Sequence, residues 1–385
     1  MTRSRNVALV LIDDDGNVLG VTPPIEIAMP WWQEAGPIVD ALPGSTVLRL
    51  LTATPDDHAP MGGDVTYLVQ VPHPDLVSQA GLTVQPWVGT LDDHELRQPW
   101  ARPGGPAADL EWVSTVVEVT GPARQHRTWN LSAIWSIPTV GGDVWLKCIP
   151  TFFGHEGAAL DLLSDLPIPR LIATEGHRIL MAAMQGEDGH AASETEQLAM
   201  VESLVRIQAA SISRVPDLLA AGVPDLRAEA LHRELSSLIA RVAPGNDALN
   251  RLIDEIPERM ARVAQCGLPD ALAHGDPHGG NCRREVTPPV WFDWGDSFVG
   301  NPLMDVAALH RMPESVVARW LDLWSEAVPG STPHTAWEQL KPLAALRMAW
   351  VYQRFLDNIE PSEHIYHRDD VPTALRTTEQ LLESS

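Results

Sequence analysis

Residues 272–281, Leu-Ala-His-Gly-Asp-Pro-His-Gly-Gly-Asn, constrain the fold of this chain more than any other stretch. They place His274, Asp276 and Asn281 at the spacing H-x-D-x-x-x-x-N. An apolar run then leads into Asp293, twelve positions after the asparagine. A carboxylate, an amide oxygen and a second carboxylate at this spacing are oxygen ligands of the kind that Mg²⁺ prefers. The glycines between them allow these groups to converge without crowding.

Phosphoryl transfer from a nucleotide requires this set of groups. Asp276 would accept the proton of an attacking hydroxyl, while Asn281 and Asp293 would hold Mg²⁺ on the phosphates. Against the protein-kinase pattern H-R-D-x-x-x-x-N followed by D-F-G, this chain has Gly275 in place of the arginine and Trp294 in place of the phenylalanine. Many protein kinases use that arginine to detect activation-loop phosphorylation, so its loss favours a small-molecule kinase whose site is always formed.

The motif, continued by Gly-Asn-Pro-Leu-Met-Asp at 300–305, resembles the aminoglycoside phosphotransferase and choline kinase family over roughly 121–385. The resemblance implies a fold similar to that of the protein kinases. It also implies roles for matching residues, and these agree with the reading from chemistry.

By this resemblance, Asp276 is the catalytic base and Asn281 and Asp293 are the magnesium ligands. His274 braces the loop by hydrogen bonding. Asp305 is expected to bond to the backbone of the same loop, so both are assigned as structural supports.

We expect an α+β chain: a bilobal protein-kinase-like fold, with a small β-rich N-lobe and a large helical C-lobe, preceded by a small α+β domain. A turn at Asp13-Asp14-Asp15-Gly16-Asn17 separates two β-rich runs, and the pattern restarts near Gly121-Pro122. The predicted parts are an accessory domain over 1–120, an N-lobe with ATP-binding strands and hinge over 121–188, and a C-lobe with the catalytic loop and substrate site over 189–385.

The nucleotide side of such a kinase needs a lysine on a strand, paired with a glutamate on the next helix. Lys147 ends the β-rich run 144–147, and Glu156 lies nine positions on, early in a helical run. Lys147 and Lys341 are the only lysines among 27 basic residues. A lysine where arginine is the rule favours phosphate binding over an ordinary surface position.

The phosphate loop has no G-x-G-x-x-G. The candidate is 127–132, where Ser132 or backbone amides would cap a phosphate. The apolar run 179–184 is predicted to be the hinge, with Met181 and Ala183 contacting adenine.

Two interpretations are open for several other residues. His278 either braces the loop or touches substrate or phosphate, and Asp296 is either a metal or substrate group or a helix-capping or solvated carboxylate. Trp320, Trp324 and Trp350 are expected in the core, with stacking on a cationic substrate as the alternative. A solvated face is expected for five carboxylates near the C-terminus, namely Asp357, Glu360, Glu363, Asp369 and Asp370.

Charge and composition limit the classes of partner that the chain is expected to bind. With 51 acidic against 27 basic residues the net charge is −24, so neither a nucleic acid nor a membrane is expected to bind, whereas a small cationic acceptor would be attracted. No apolar run is long enough for a transmembrane helix, and the N-terminus lacks a signal-peptide pattern. The 3 cysteines, without a C-x-x-C, predict a reducing cytoplasm instead of disulfides or a zinc finger.

We therefore expect a cytoplasmic kinase that uses ATP, with GTP as the alternative, and Mg²⁺ to phosphorylate a hydroxyl of an amino sugar, an aminoglycoside-like compound or a related metabolite. A catalytically silent nucleotide-binding module is the second reading. A Nudix hydrolase is the third, because the opening of residues 1–120 resembles a Nudix domain, but the chain lacks the glutamate cluster that such enzymes need. The acceptor, the oligomeric state and a role in resistance or in primary metabolism stay open.

Overall fold

The structure is a computed structural model that describes residues 4–56, 59–305 and 312–383. The chain divides into two units, each assembled from three stretches of sequence. Unit 1 consists of Met1–Phe152, Ile172–Ala183 and Phe355–Arg368, and unit 2 of Phe153–Leu171, Met184–Arg354 and Asp369–Ser385. A short piece near the C-terminus is therefore part of the unit that the N-terminus begins.

The first sheet of unit 1 is formed by β1 (Arg5–Ile12), β2 (Val18–Val21), β3 (Ile25–Ile27), β4 (Thr46–Thr54) and β5 (Asp64–Gln70). The strand order is β2-β1-β5-β4, with β3 also paired to β1, and β1 runs parallel to β5. Val7 and Leu9 of β1 join one apolar cluster, while Val10 and Ile12 join another. An inner strand covered on both faces needs apolar residues at nearly every position, which explains the unbroken apolar run.

The second sheet of unit 1 is formed by β6 (Arg124–Trp129), β7 (Ser132–Ile137), β8 (Val144–Cys148), β9 (Leu171–Glu175) and β10 (Arg178–Ala182). Its order is β6-β7-β8-β10-β9, so β8 is the central strand. Leu146 and Cys148 of β8 pack in an apolar cluster with Trp135. Alternation along the strand places Lys147 on the opposite face.

Side-chain contacts join the two sheets of unit 1. The amide of Gln125 on β6 donates to the carbonyl of Val47 at 2.8 Å and accepts from the N–H of Val47 at 2.9 Å. Arg127 on the same strand pairs with Glu34 at 2.6 Å. The division at residue 120 and the Nudix resemblance stay predictions; the structure adds that both sheets belong to one unit. Helices α1 (Gly36–Ala41), α2 (Asp75–Gln79) and α3 (Gly105–Val116) complete this part of the chain.

Residues 355–368 contribute a buried aromatic side chain to unit 1. Tyr366 is 3% exposed and joins the apolar cluster of the first sheet. Its ring meets the edges of Trp32 and Trp129, with centroids 5.8 and 5.6 Å away. The core of the first sheet is therefore completed by a residue from the end of the chain.

The same segment carries buried carboxyl groups. Glu360 and Glu363 are 5% and 3% exposed, so the expected solvated face is wrong for these two residues. Glu360 accepts two hydrogen bonds from Arg97, at 3.1 and 2.8 Å, and the charge of Arg49 acts on both glutamates. Asp357 and Asp369 are exposed as expected, and Asp370 is half-buried.

Unit 2 is mainly helical. Its helices are α4 (Glu156–Leu162), α5 (Glu194–Ser211), α6 (Val215–Ala220), α7 (Ala228–Val242), α8 (Asp247–Gln265), α9 (Glu314–Ala327), α10 (Pro333–Asn358) and α11 (Asp370–Glu383), the last four residues of α10 belonging to unit 1. Ser193 and Glu196 form a capping box at the start of α5, as the sequence predicts. Trp320 and Trp324 of α9 are fully buried, in agreement with the core reading.

Short strands in unit 2 support the loops between the helices. They are β11 (Glu187–Asp188), β12 (Ala271–Ala273), β13 (Cys282–Arg284), β14 (Val290–Trp291) and β15 (Phe298–Gly300). With one β-rich and one mainly helical unit, the predicted α+β class is confirmed. Over the described ranges, no helix has the length and apolar character needed to cross a bilayer.

Candidate active site

The motif of unit 2 lies on loops that leave short strands. His274 follows β12, and Asn281 closes a single 3₁₀ turn, Gly279–Asn281, that leads into β13. β13 pairs with β14, and Asp293 comes two residues after β14. The backbone N–H of Phe292 donates to the carbonyl of Asn281 at 2.9 Å, so the two loops are joined directly.

Asp276 presents a partly exposed carboxylate, with 37% of its side-chain surface accessible. Asn281 donates from Nδ2 to the backbone carbonyl of Asp276 at 3.0 Å, and Nδ2 lies 3.3 Å from Oδ2 of the carboxylate. His278 Nε2 lies 3.3 Å from the same oxygen. Burial would raise the pKa of Asp276, but the nearby His278 and His274 outweigh it and hold the pKa below its usual value. The carboxylate is therefore ionised at neutral pH.

His274 is fully buried and lies behind Asp276. Its Nδ1 accepts from the N–H of Asp276 at 3.3 Å, and its Nε2 lies 2.9 Å from the carbonyl of Phe292. These partners assign the proton to Nε2. Burial lowers the pKa of His274 to about 4, so the ring stays neutral and supports the backbone of both loops.

Asp305 lies beneath the loop and is fully buried. Its carboxylate accepts from the N–H groups of His274 at 2.8 Å and Gly275 at 2.7 Å, and from Nε2 of Gln208 at 2.6 Å. Burial raises its pKa to about 6, although these donors and Arg347 oppose the increase. Asp305 thus fixes the two residues that precede Asp276.

Gly275 explains why the loop has no arginine at this position. Its φ is +91°, and a Cβ there would lie 2.0 Å from the backbone carbonyl of Asp296. A side chain of any size would collide with this carbonyl, and the backbone conformation itself favours glycine. The approach of the two loops therefore excludes the arginine of the protein-kinase pattern.

Asp293 has a left-handed backbone, with φ of 65° and ψ of 63°. Non-glycine residues adopt this conformation at an energetic cost, and such positions concentrate at functional sites. The N–H of Trp294 donates to Glu156 Oε1 at 3.2 Å, so the first residue of α4 supports the segment next to Asp293. Burial, followed by the charges of Asp276 and Asp293, raises the pKa of Asp296 to about 7.

The remaining predicted site residues lie in unit 1. Lys147 is 5% exposed on β8, and its predicted partner Glu156 is in unit 2, so this pair stays a prediction. Ser132 begins β7 and its hydroxyl accepts from Trp129 Nε1 at 3.1 Å. Met181 is 7% exposed and pairs with β8.

The predicted hinge ends unit 1. The N–H of Ala183 donates to the carbonyl of Asp143 at 3.0 Å, so this N–H is already bonded within unit 1. The boundary between the units falls directly after Ala183.

Two residues beside the loop have no signal in the sequence. His190 stacks on His278, with ring centroids 5.8 Å apart, although 88 positions separate them. Arg347 Nη2 donates to the carbonyl of Gly275 at 2.7 Å from 72 positions away. Neither residue belongs to a motif, and contacts over such separations have no pattern that a single sequence displays.

Among the described residues, one further group could be considered for a metal. Asp109, Cys148 and His177 place ligand atoms within 4.8 Å of one another in unit 1. However, Arg178 already donates to Asp109 at 2.7 Å, and burial raises the pKa of the Cys148 thiol well above its usual value. A paired carboxylate and a protonated thiol indicate a structural network.

The model of the phosphotransferase enzyme family matches residues 153–343. The choline kinase LicA from Streptococcus pneumoniae has a TM-score of 0.55 at 16% identity, covering 73% of this chain and 99% of that chain. The macrolide 2′-phosphotransferase MphH from Brachybacterium faecium has a TM-score of 0.52 at 18% identity, covering 70% and 97%. The GDP and kanamycin complex of APH(2″)-IIia has a TM-score of 0.53 at 13% identity, covering 73% and 99%.

At these identities the solved structures show a shared fold, and more than a quarter of this chain lies outside each superposition. A search of curated proteins finds no match.

Proposed function

We infer that this chain, of which residues 153–343 belong to the phosphotransferase enzyme family, is a small-molecule kinase whose reacting groups lie on the Asp276 loop. It transfers the γ-phosphoryl group of a nucleoside triphosphate to a hydroxyl. The observation that carries this proposal is the accessible, ionised Asp276 carboxylate on a loop whose backbone is held by buried His274 and Asp305.

In the proposed reaction the acceptor hydroxyl donates a hydrogen bond to Asp276. As its oxygen attacks the γ-phosphorus, the bond between that phosphorus and the bridging oxygen of the diphosphate breaks, and the hydroxyl proton passes to Asp276. The products are a phosphate ester and a nucleoside diphosphate. His274 and Asp305 keep the carboxylate in place during this step.

Asn281 and Asp293 are the proposed magnesium ligands. Both offer oxygen atoms, which suit a hard cation. Burial, followed by the charges of Asp276 and Asp293, raises the pKa of Asp296, so negative charge converges at this point and a divalent cation would offset it. When bound, Mg²⁺ would neutralise charge on the phosphates.

ATP is the proposed donor, and GTP belongs in every test because one of the similar structures is a GDP complex. We propose that Lys147, paired with Glu156, binds the phosphates. Ser132 would cap a phosphate, and Met181 and Ala183 would contact the base. The buried position of Lys147 on the central strand β8, in a chain with only two lysines, supports this role.

The proposed acceptor is an amino sugar, an aminoglycoside-like compound or a related metabolite. The similar structures include a choline kinase, a macrolide phosphotransferase and a kanamycin complex. The net charge of −24 favours a cationic member of this range. We also propose a cytoplasmic location, which the three free, buried cysteines fit.

The test is ADP or GDP release with Mg²⁺ and a panel of acceptors: aminoglycosides, a macrolide, glucosamine, choline and homoserine. Asp276→Asn should reduce turnover by roughly 10²–10⁴-fold while nucleotide affinity stays near that of the wild type. Asp322→Asn, an exposed aspartate of α9, is the matched control and should keep full turnover.

Wild-type turnover in Asp276→Asn would refute the assignment of the base. Tight binding of Mg²⁺-ATP with no transfer to any acceptor would instead favour a silent nucleotide-binding module.

A further inference from the structure

The backbone of Gly275, directly before Asp276, lies between two buried charged side chains. Its N–H donates to Asp305 Oδ1 at 2.7 Å, and its carbonyl accepts from Arg347 Nη2 at 2.7 Å. Both charged residues are 0% exposed. The N–H lies in the peptide plane shared with His274 and the carbonyl in the plane shared with Asp276, so each plane next to Gly275 is held by one buried charged residue.

Arg347 reaches the loop from helix α10. Its guanidinium lies over the ring of Phe298, with Cζ 4.7 Å from the centroid. Phe298 is the residue of β15 that pairs with Ala273, the last residue of the strand before His274. Arg347 thus contacts both the loop and the strand pair that supports it.

The environment of Arg347 is unusual for a side chain that only fills space. Its Nε and Nη1 have no hydrogen-bond partner among the described residues. Burying these two polar groups costs free energy, which the bond to Gly275 must offset. Burial lowers the pKa of Arg347, while the charges of Asp305, Asp296 and Asp276 act to raise it. An apolar residue of similar volume would pack here with less cost.

The local geometry gives a reason for this arrangement. Residue 275 cannot carry a side chain, because a Cβ would lie 2.0 Å from the carbonyl of Asp296. A cation beside the loop must then come from another element. Arg347 supplies one from α10, opposite the carboxylate of Asp305 and near the negative charges of Asp276 and Asp296.

We propose that Arg347 is a positioning residue for phosphoryl transfer. By holding the carbonyl of Gly275, it sets the peptide plane from which Asp276 projects and so directs the carboxylate toward the acceptor hydroxyl. This inference rests on the proposed function. Small misplacements of a reacting group reduce rates strongly, so the contact matters more for turnover than for binding.

The test compares Arg347→Met, Arg347→Lys and the matched control Arg319→Met, an arginine at the surface of α9. Methionine keeps much of the apolar stem but donates no hydrogen bond, whereas lysine can still donate to Gly275. We expect Arg347→Met to lower kcat by about 10–100-fold, with KM for nucleotide and acceptor within about twofold of wild type. Arg347→Lys should recover part of kcat, and Arg319→Met should match the wild type.

Amide hydrogen exchange over residues 274–281 is the second readout, because it needs no substrate. Exchange in this stretch should be at least about tenfold faster in Arg347→Met, with helices elsewhere unchanged. Unchanged exchange in the loop, or a kcat within about twofold of wild type, overturns the proposal.

The two proposals fail in different ways. If the function is wrong, the wild type shows no nucleotide hydrolysis or transfer that depends on Asp276. The exchange measurement still decides whether Arg347 holds the loop.

Discussion

Both units place a carboxylate beside a basic side chain, but the two units differ in how far these side chains are exposed. In unit 1, Arg97 and Glu360 form a bidentate pair whose side chains are 10% and 6% exposed. In unit 2, Asp276 and His278 keep 37% and 30% of their side-chain surface accessible. Arg97 and Glu360 shield each other from solvent, whereas Asp276 and His278 can contact a molecule from solution.

A charged side chain can therefore serve either stability or reaction, depending on whether a partner within the fold encloses it. A glutamate matched by an arginine has its charge satisfied within the fold and can lock two distant segments together. At the Asp276 loop, burial together with the charges of Asp276 and Asp293 raises the pKa of Asp296 to about 7, so negative charge is concentrated there. Such a site stores unfavourable interaction that a bound cation or substrate can relieve.

Arg97→Met is expected to have the largest effect and tests the closed side of the comparison. Removing the arginine leaves Glu360 buried without its partner, which should reduce the free energy of unfolding by about 3–5 kcal/mol. Denaturant unfolding measures this loss. Turnover per folded molecule should stay near that of the wild type.

The double variant Arg97→Met/Glu360→Leu is the control for this prediction. It removes both charges and should regain most of the lost stability. A loss of less than about 1 kcal/mol in the single variant would mean that the pair contributes no more than an ordinary surface salt bridge. The proposed difference between the two units would then be wrong.

Glu363→Gln should change how stability depends on pH. Burial raises the pKa of Glu363 to about 8 from 4.5, so the folded protein keeps a proton that the unfolded chain releases over this range. The stability contributed by this group is therefore present at low pH and lost as pH rises toward 8. Between pH 4.5 and pH 8 the wild type should lose more stability than the variant, by a difference on the order of 3 kcal/mol. An equal change in the free energy of unfolding between pH 4.5 and pH 8 in the wild type and the variant would contradict this prediction.

Asp305→Asn should have the smallest effect on stability and a clear effect on turnover. The amide has one oxygen where the carboxylate has two, so a buried N–H of the loop loses its acceptor, at a cost of about 1–3 kcal/mol. We expect kcat to fall more than KM rises, in contrast to Arg97→Met. Steady-state kinetics together with denaturant unfolding measures both effects. A fall in kcat no larger than the loss of folded protein would contradict this prediction.

The convergence of the motif residues could be predicted from sequence because the motif is local. His274, Asp276 and Asn281 lie within eight residues, whereas their roles as proton acceptor and metal ligands stay predictions. The strands β1 and β8 could also be predicted, since their apolar runs have the length of buried strands.

The ion pairs of unit 1 could not be predicted in this way. Glu360 and its partner Arg97 lie 263 positions apart, and a glutamate in a polar C-terminal region looks like a surface residue. The same limit applies to Arg347, which contacts Gly275 from a distant helix. Charged residues of this kind show no periodicity, and only the folded chain reveals which of them meet.

The assignment of residues 355–368 to unit 1 has a consequence for synthesis of the protein on the ribosome. The core around β1 includes Tyr366, so this core stays incomplete until residue 366 has left the exit tunnel. Vectorial folding from the N-terminus, common in multidomain proteins, cannot finish the first unit before the second has been translated. Nascent chains that stop before residue 355 would lack Glu360 and Tyr366 and would expose apolar surface to chaperones and proteases.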